Sequence, residues 1–172
     1  SHFRVASPTC KMGLPEVHLG LLPGAGGTQR LPRLVGADHA FDIMATGRHL
    51  SAQEALDMGL IDTILKEEAE LEDFLLSNAD VDLASRIVSA RDVVGGPVSK
   101  EVYGRTFGGF IAPSLIHTAV DASTRLPFAN GIAYEFKLFD SLMKGSQARA
   151  LQYLFFASRK FERRLEAGEV SA

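Results

Sequence analysis

Residues 12–36 read Met12-Gly13-Leu14-Pro15-Glu16-Val17-His18-Leu19-Gly20-Leu21-Leu22-Pro23-Gly24-Ala25-Gly26-Gly27-Thr28-Gln29-Arg30-Leu31-Pro32-Arg33-Leu34-Val35-Gly36. One carboxylate, Glu16, stands in an otherwise apolar run, and downstream a Pro23-Gly24-Ala25-Gly26-Gly27 turn feeds the start of a helix. A carboxyl group in apolar surroundings is poorly hydrated when charged, which suits it to proton transfer. A glycine-rich turn at a helix start leaves backbone N–H groups free to hold a water, an oxyanion or a phosphate. Together they read as a base and a donor facing one site. The same residues also suit a solvated Pro15-Glu16 turn and a tight strand-to-helix connection, because a lone acid near glycines is a pattern of low specificity. Two nucleotide motifs are excluded: the third glycine of a dinucleotide fingerprint is lacking after Gly24-Ala25-Gly26, and no Gly-Lys-Ser/Thr closes a phosphate loop.

Outward from this stretch the chain reads as α/β. Residues 3–6 form a short strand and 12–14 an extended segment, with Pro15 biasing Leu14 toward extended backbone and so directing Glu16. Residues 28–35 form a short helix ended by Gly36, which Pro32 kinks or divides. Arg30 and Arg33 there suit phosphate binding or, more simply, a solvated or salt-bridged helix face. Asp38 is placed to cap the next helix, with Phe41, Ile43 and Met44 inward and Gly47 as its stop. Ser51 and Glu54 make a capping box ahead of Ala55, Leu56 and Met58, which explains Glu54 without catalysis. Gly59 closes that helix, and 60–65 alternates as a strand.

Past residue 66 the strands stop. Residues 71–77, 83–88, 114–124 and 128–143 show helical spacing, with Asp80 or Asp82 as a cap for the second. Residues 95–113, with five glycines and two prolines, read as a linker. A final helix carries Leu151, Leu154, Phe155 and Leu165 on or near one face and Arg159, Lys160, Arg163 and Arg164 on another. Phe156 with Arg159 or Lys160 has the spacing to offer an aromatic and a cation to a ligand, or simply a core aromatic beside a solvated basic face. The organisation is therefore residues 1–66, a partial α/β core, and 67–172, a helical region with a glycine-rich linker near 95–113.

The 172 residues carry a formal charge of −3 with 46% hydrophobic and 23% charged residues, which disfavours a nucleic-acid surface. The one cysteine, Cys10, cannot form an internal disulfide and suits a small buried hydrophobe. No run is long or apolar enough to span a bilayer. His2, His18, His39, His49 and His117 show no metal-ligand spacing, so no metal site is expected.

Gly13-Leu14-Pro15-Glu16-Val17, followed by Leu19-Gly20-Leu21-Leu22-Pro23-Gly24-Ala25-Gly26-Gly27-Thr28-Gln29-Arg30, closely resembles the signature of the enoyl-CoA hydratase/isomerase (crotonase) family. The resemblance runs on through Ala45-Thr46-Gly47-Arg48, Ser51-Ala52-Gln53-Glu54-Ala55 and Gly59-Leu60-Ile61-Asp62. Leu126-Pro127-Phe128, Tyr134-Glu135, Ser146-Gln147-Ala148-Arg149-Ala150 and Leu154-Phe155-Phe156-Ala157 resemble the hydratase part of multifunctional β-oxidation proteins, in which a 3-hydroxyacyl-CoA dehydrogenase domain follows.

The resemblance implies the C-terminal part of a crotonase-like ββα spiral core followed by an all-helical region, acting on an acyl-CoA thioester with no cofactor beyond that substrate. It puts Glu16 on the second of two catalytic glutamates, as general acid/base toward the substrate α-carbon, and Gly24 where a backbone N–H holds the reacting water. Pro15, Phe156, Arg159 and Lys160 become substrate-binding positions, while Glu135 lies in a helix the family does not use for chemistry. By the same resemblance Ser1 falls mid-domain. The first glutamate and both oxyanion donors are then expected upstream, and the 172 residues alone are expected to turn over little and to self-associate, as a homo-oligomer or by packing on an N-terminal half. A Δ3,Δ2-enoyl-CoA isomerase using one glutamate, and an inactive fragment or interaction remnant, stand as alternatives. The implied location is cytoplasmic in a bacterium, and peroxisomal or mitochondrial in a eukaryote.

Overall fold

Four short strands pair across long sequence separations and set the frame for everything else. In the computed structural model, which describes residues 2–103 and 109–168, β1 (Val5–Ala6) runs parallel to β4 (Thr63–Ile64), with Val5 opposite Thr63. β2 (Lys11–Gly13) runs antiparallel to β3 (His49–Ser51), with Lys11 opposite Ser51 and Gly13 opposite His49. The 3–6 and 60–65 strands thus exist but are only two residues long, and β3 is a partner that its own three residues do not announce. An ion-pair cluster locks the first ladder. The Arg4 N–H donates to Asp62 Oδ2 at 2.7 Å, the Arg4 guanidinium to both Asp62 oxygens, and Arg86 pairs with Asp62 Oδ1. Arg86 also lies 4.2 Å over the Phe3 ring and donates to the His2 carbonyl at 2.7 Å.

After β2 the chain enters a 3-10 helix, Pro15–Leu19, which opens on Pro15 and ends at Gly20 in the left-handed region (φ 69°). Helices α1 (Gly27–Arg30) and α2 (Pro32–Val35) follow, so Pro32 divides the 28–35 segment: it opens α2, where its lack of an N–H costs nothing. Arg33 is not a solvated charge. It is 7% exposed and donates to the carbonyls of Gln29 (2.7 Å), Arg91 (3.0 Å) and Leu126 (3.4 Å). Burial lowers its guanidinium from the ordinary value, and Asp92 opposes that shift. Arg30 donates to the Ala25 carbonyl at 2.7 Å, and both arginines lie 5.3 Å from the Phe128 ring. Both are spent on structure, so neither carries the phosphate-binding option.

Helix α3 (Ala37–Thr46) is the centre of the core, with Ala40, Phe41, Ile43 and Met44 at most 1% exposed and Gly47 as its left-handed C-cap. Its N-cap is Gly36 rather than Asp38. Asp38 instead accepts the Ser99 N–H at 2.6 Å, pinning the segment beyond Gly96. α4 (Ala52–Asp57) begins with the expected capping box: the Ser51 N–H donates to Glu54 at 2.8 Å, and the Glu54 N–H donates to Ser51 Oγ at 3.2 Å. α5 (Ala69–Ser77) lies near the surface, and 83–90 is two 3-10 turns rather than one helix, the first capped by Asp82. A one-turn helix, α6 (Lys100–Tyr103), interrupts the glycine-rich segment, of which 104–108 lie outside the described residues.

Three long helices complete the chain: α7 (Ile111–Ser123), α8 (Phe128–Met143) and α9 (Ser146–Glu166). α7 packs on α3 and α8 through Ile116, Ala119 and Val120, all fully buried. α9 seats only its first turns. Ala148 lies against Gly20, and beyond it Tyr153, Leu154, Phe156 and Phe161 are exposed. The architecture is α/β at the N-terminal end and all-helical thereafter, and no described helix is long and apolar enough to cross a membrane.

Candidate active site

The 3-10 helix that carries Glu16 is held to the glycine-rich turn by the backbone. Leu21 N–H donates to the Glu16 carbonyl at 3.1 Å, so Leu22 and Pro23 plunge into the core immediately before Gly24. Glu16 Oε2 is enclosed and accepts no hydrogen bond from any described residue. Two other enclosed polar atoms share that state, Arg4 Nη1 and Gln29 Oε1. Their side chains are otherwise engaged, Arg4 with Asp62 and Gln29 with Thr28 Oγ1 and the Ala119 carbonyl. Glu16 accepts no side-chain bond from any described residue. A carboxylate oxygen withdrawn from solvent without a donor is destabilised, and such orphans concentrate where a ligand or water supplies the partner.

The turn itself differs from the sequence expectation. Its amides are not all available: Gly26 N–H donates to Glu135 Oε1 at 2.7 Å and Thr28 N–H to Glu135 Oε2 at 3.0 Å, with Thr28 Oγ1 at 2.6 Å from the same oxygen. Glu135 is 1% exposed and arrives from α8. Among the described residues the N–H groups of Gly24, Ala25 and Gly27 have no partner, so the turn keeps open donors, the Gly24 N–H among them. Sequence reasoning gave Glu135 no role. The signal that could have raised it is a lone acid between Ala133-Tyr134 and Phe136 on a helix whose neighbours are apolar.

The remaining candidates lie on the 3-10 helix and on α9. Pro15 is exposed at the head of the 3-10 helix. Phe156 is 67% exposed and meets Phe155 edge-on at 5.5 Å, while Arg159 stacks 4.7 Å over the Phe155 ring. Lys160 is exposed one residue further along α9. A cleft of about 580 Å³, walled by Val5, Met12, Leu14, Leu31, Leu50 and Ile61, is apolar and does not include Glu16, although its Leu14 wall sits two residues upstream of it. The one charged residue in its wall, Arg4, is committed to Asp62, so the candidate site is the Glu16–Gly24 region rather than this hollow.

Three likenesses place this arrangement. The sequence model of the family described as enoyl-CoA hydratase/isomerase matches residues 1–93. The peroxisomal bifunctional enzyme of Danio rerio is 41% identical over 94% of this chain and 24% of its own length, and the fatty acid oxidation complex subunit alpha of Shewanella loihica is 36% identical over 99% of this chain and 26% of its own. The chain therefore spans about a quarter of the length of these curated relatives. In fold, the crystal structure of carnitinyl-CoA hydratase from Mycobacterium avium superposes with a TM-score of 0.55 at 22% identity, covering 92% of this chain and 52% of that one. By its sequence, and with a fold to match, the chain belongs to the enoyl-CoA hydratase/isomerase family.

Proposed function

We propose that the protein hydrates 2-trans-enoyl-CoA thioesters to 3-hydroxyacyl-CoA in fatty acid β-oxidation, as part of a larger polypeptide, with Glu16 as the acid/base group. The observation that carries this reading is the enclosed Glu16 Oε2, without a partner among the described residues, on the helix that leads into a turn with an open Gly24 N–H. In the reaction, water oxygen bonds to C3 and releases a proton to a base. The C2=C3 pair shifts toward the thioester as an enolate, and Glu16 delivers a proton to C2. The Gly24 N–H donates to the reacting water and so fixes its approach. A proton donor within reach of the forming carbanion is worth about 10²- to 10⁴-fold in rate, and proximity of water and acid adds to it.

Acyl-CoA is the substrate and the reading calls for neither cofactor nor metal. Pro15, Phe156, Arg159 and Lys160 are proposed as substrate contacts, the last three by movement of the exposed part of α9 or by packing of α9 on another surface. A homo-oligomer or an N-terminal half of the domain supplies that surface, and a 3-hydroxyacyl-CoA dehydrogenase domain downstream takes the product. The proposed location is peroxisomal or mitochondrial in a eukaryote and cytoplasmic in a bacterium, the first in line with the peroxisomal name of the Danio rerio relative.

A second reading, Δ3,Δ2-enoyl-CoA isomerisation, is favoured by one observation: Glu54 and Glu135 are both committed to backbone donors, which leaves Glu16 as the single available carboxylate of the three. One experiment tests both. The protein expressed from its complete reading frame is given a short 2-enoyl-CoA and, separately, a 3-enoyl-CoA. Hydration lost by about 10²-fold or more in Glu16→Gln supports the hydratase reading. Isomerisation without hydration in the parent protein replaces it with the second, and no turnover of either substrate removes both.

A further inference from the structure

α8 meets the glycine-rich turn along one face and at four successive places. A Cβ on Gly131 would lie 2.0 Å from Gln29 Oε1, so the glycine is what lets α8 approach α1. A Cβ on Gly26 would lie 3.0 Å from Ile132 Cδ1, and one on Gly24 would lie 2.5 Å from Phe139 Cδ2. Between these contacts, at the helical spacing that shares their face, Glu135 places its carboxylate on Gly26 N–H, Thr28 N–H and Thr28 Oγ1. Gly26 itself is left-handed at φ 85°, a conformation that aims its N–H at α8 and that other residues rarely hold.

A buried carboxylate is a costly way to fill this place. No ion pair is found for it among the described residues, and its side chain is almost wholly withdrawn from water. If the turn needed only backing, Ile132 and Phe139 show that α8 can supply apolar contacts. What Glu135 adds is a polar hold on the turn: it engages Gly26 and Thr28 and leaves the amides of Gly24, Ala25 and Gly27 without a partner among the described residues. We propose that Glu135 is a positioning residue, which holds the 24–28 turn so that the Gly24 N–H faces the reacting water. The proposal rests on the hydratase reading, because a held water is what Gly24 is asked to bind.

The consequence separates two reactions of one active site. Hydration needs a placed water and a placed acid. Exchange of an α-proton of a saturated acyl-CoA with deuterated solvent needs the acid/base group but no nucleophilic water. Both are measured on the protein expressed from its complete reading frame, well below the melting midpoint of each variant. Glu135→Gln is expected to lower kcat for hydration about tenfold or more, since a misplacement on the order of 1 Å is worth that much. KM should stay within about twofold, the signature of an interaction made in the transition state, and α-proton exchange should persist. Thr28→Val removes the hydroxyl contact to Glu135 at 2.6 Å, and with it the Gln29 Nε2 bond at 3.1 Å, but keeps both amide bonds; it is expected to shift the hydration-to-exchange ratio the same way by a smaller factor, which keeps the test open if the first variant does not fold. Ser51→Ala, which weakens the remote capping box, should leave the ratio unchanged. Hydration and exchange falling in equal proportion in the Glu135 and Thr28 variants, or neither falling, overturns the positioning role and leaves the hydratase reading standing. A parent protein that exchanges α-protons but does not hydrate overturns the hydratase reading and this role with it.

Discussion

Glu16 and Glu135 are both carboxylates set among apolar side chains, and their surroundings are opposite in kind. Glu135 sits on a sixteen-residue helix and accepts two amide bonds and a hydroxyl bond, its oxygens answered from a turn more than a hundred residues away. Glu16 sits on a five-residue 3-10 helix, and its enclosed Oε2 is answered by none of the described residues. The satisfied group adds stability and orders its neighbours; the unsatisfied one carries a desolvation cost that binding or proton transfer can relieve. Burial alone does not mark a reactive acid. The count of its donors does.

The comparison breaks first on stability. Glu135→Ala strands two amides and a hydroxyl in the core and should lower the unfolding free energy by about 3 kcal/mol, since each unsatisfied buried group costs on the order of 1–3 kcal/mol. Glu16→Gln should lie within about 0.5 kcal/mol of the parent while activity collapses, because no protein bond is lost. Urea unfolding of the two variants decides it. Equal losses would mean that Glu16 is as structural as Glu135, and the reading of its free oxygen would fail.

A smaller effect sharpens the same contrast from the helix side. Gly131→Ala places a methyl group 2.0 Å from Gln29 Oε1, and overpacking of this sort costs about 1–3 kcal/mol. α8 must move away from the turn, which lengthens the Glu135 bonds. Amide exchange across 24–30 should therefore quicken, while exchange at the Ser51–Glu54 capping box stays as it was. Quickening at both places would mean that the substitution loosens the whole domain and that α8 has no particular hold on the turn.

These features differ in how far they could be read from the sequence. The Ser51–Glu54 box, the Gly47 stop, the Asp82 cap and the span 128–143 of α8 depend on residues a few positions apart, so spacing reveals them. The Glu16 motif was legible as a pattern, and its family likeness made it specific. What spacing could not show is what fold closure brings together. Asp38 looks like a cap but serves Ser99, Arg33 looks solvated but binds three carbonyls, and β3 is recognisable only once β2 lies beside it. Glu135 belongs to this second group: on its own helix it is one acid among apolar neighbours, and its meaning lies in Gly26 and Thr28. The short helix α1 likewise holds two fully buried polar residues, Thr28 and Gln29, because α7 and α8 close over it.

Asp62 offers a third kind of carboxylate, satisfied by cations, and the smallest expected effect. Burial pushes its carboxyl upward, but the Arg4 and Arg86 bonds outweigh that and hold it below its ordinary 3.8. A depressed folded value means that the unfolded chain binds protons first as pH falls, so Asp62 stabilises the fold above pH 3.8 and that contribution is lost as pH drops through its folded value. His117 acts in a separate window. Burial, opposed by Asp121, lowers it from 6.5, so the unfolded chain again takes the proton first and stability begins to fall below about pH 6.5. An unfolding series from pH 7 downward should thus show two declines, and Asp62→Asn should shrink the lower one, to which Glu54 also contributes, while leaving the upper. If Asp62→Asn left the acid limb untouched, the Arg4–Asp62–Arg86 cluster, its Arg4 N–H bond included, would add nothing to the stability of the β1–β4 ladder.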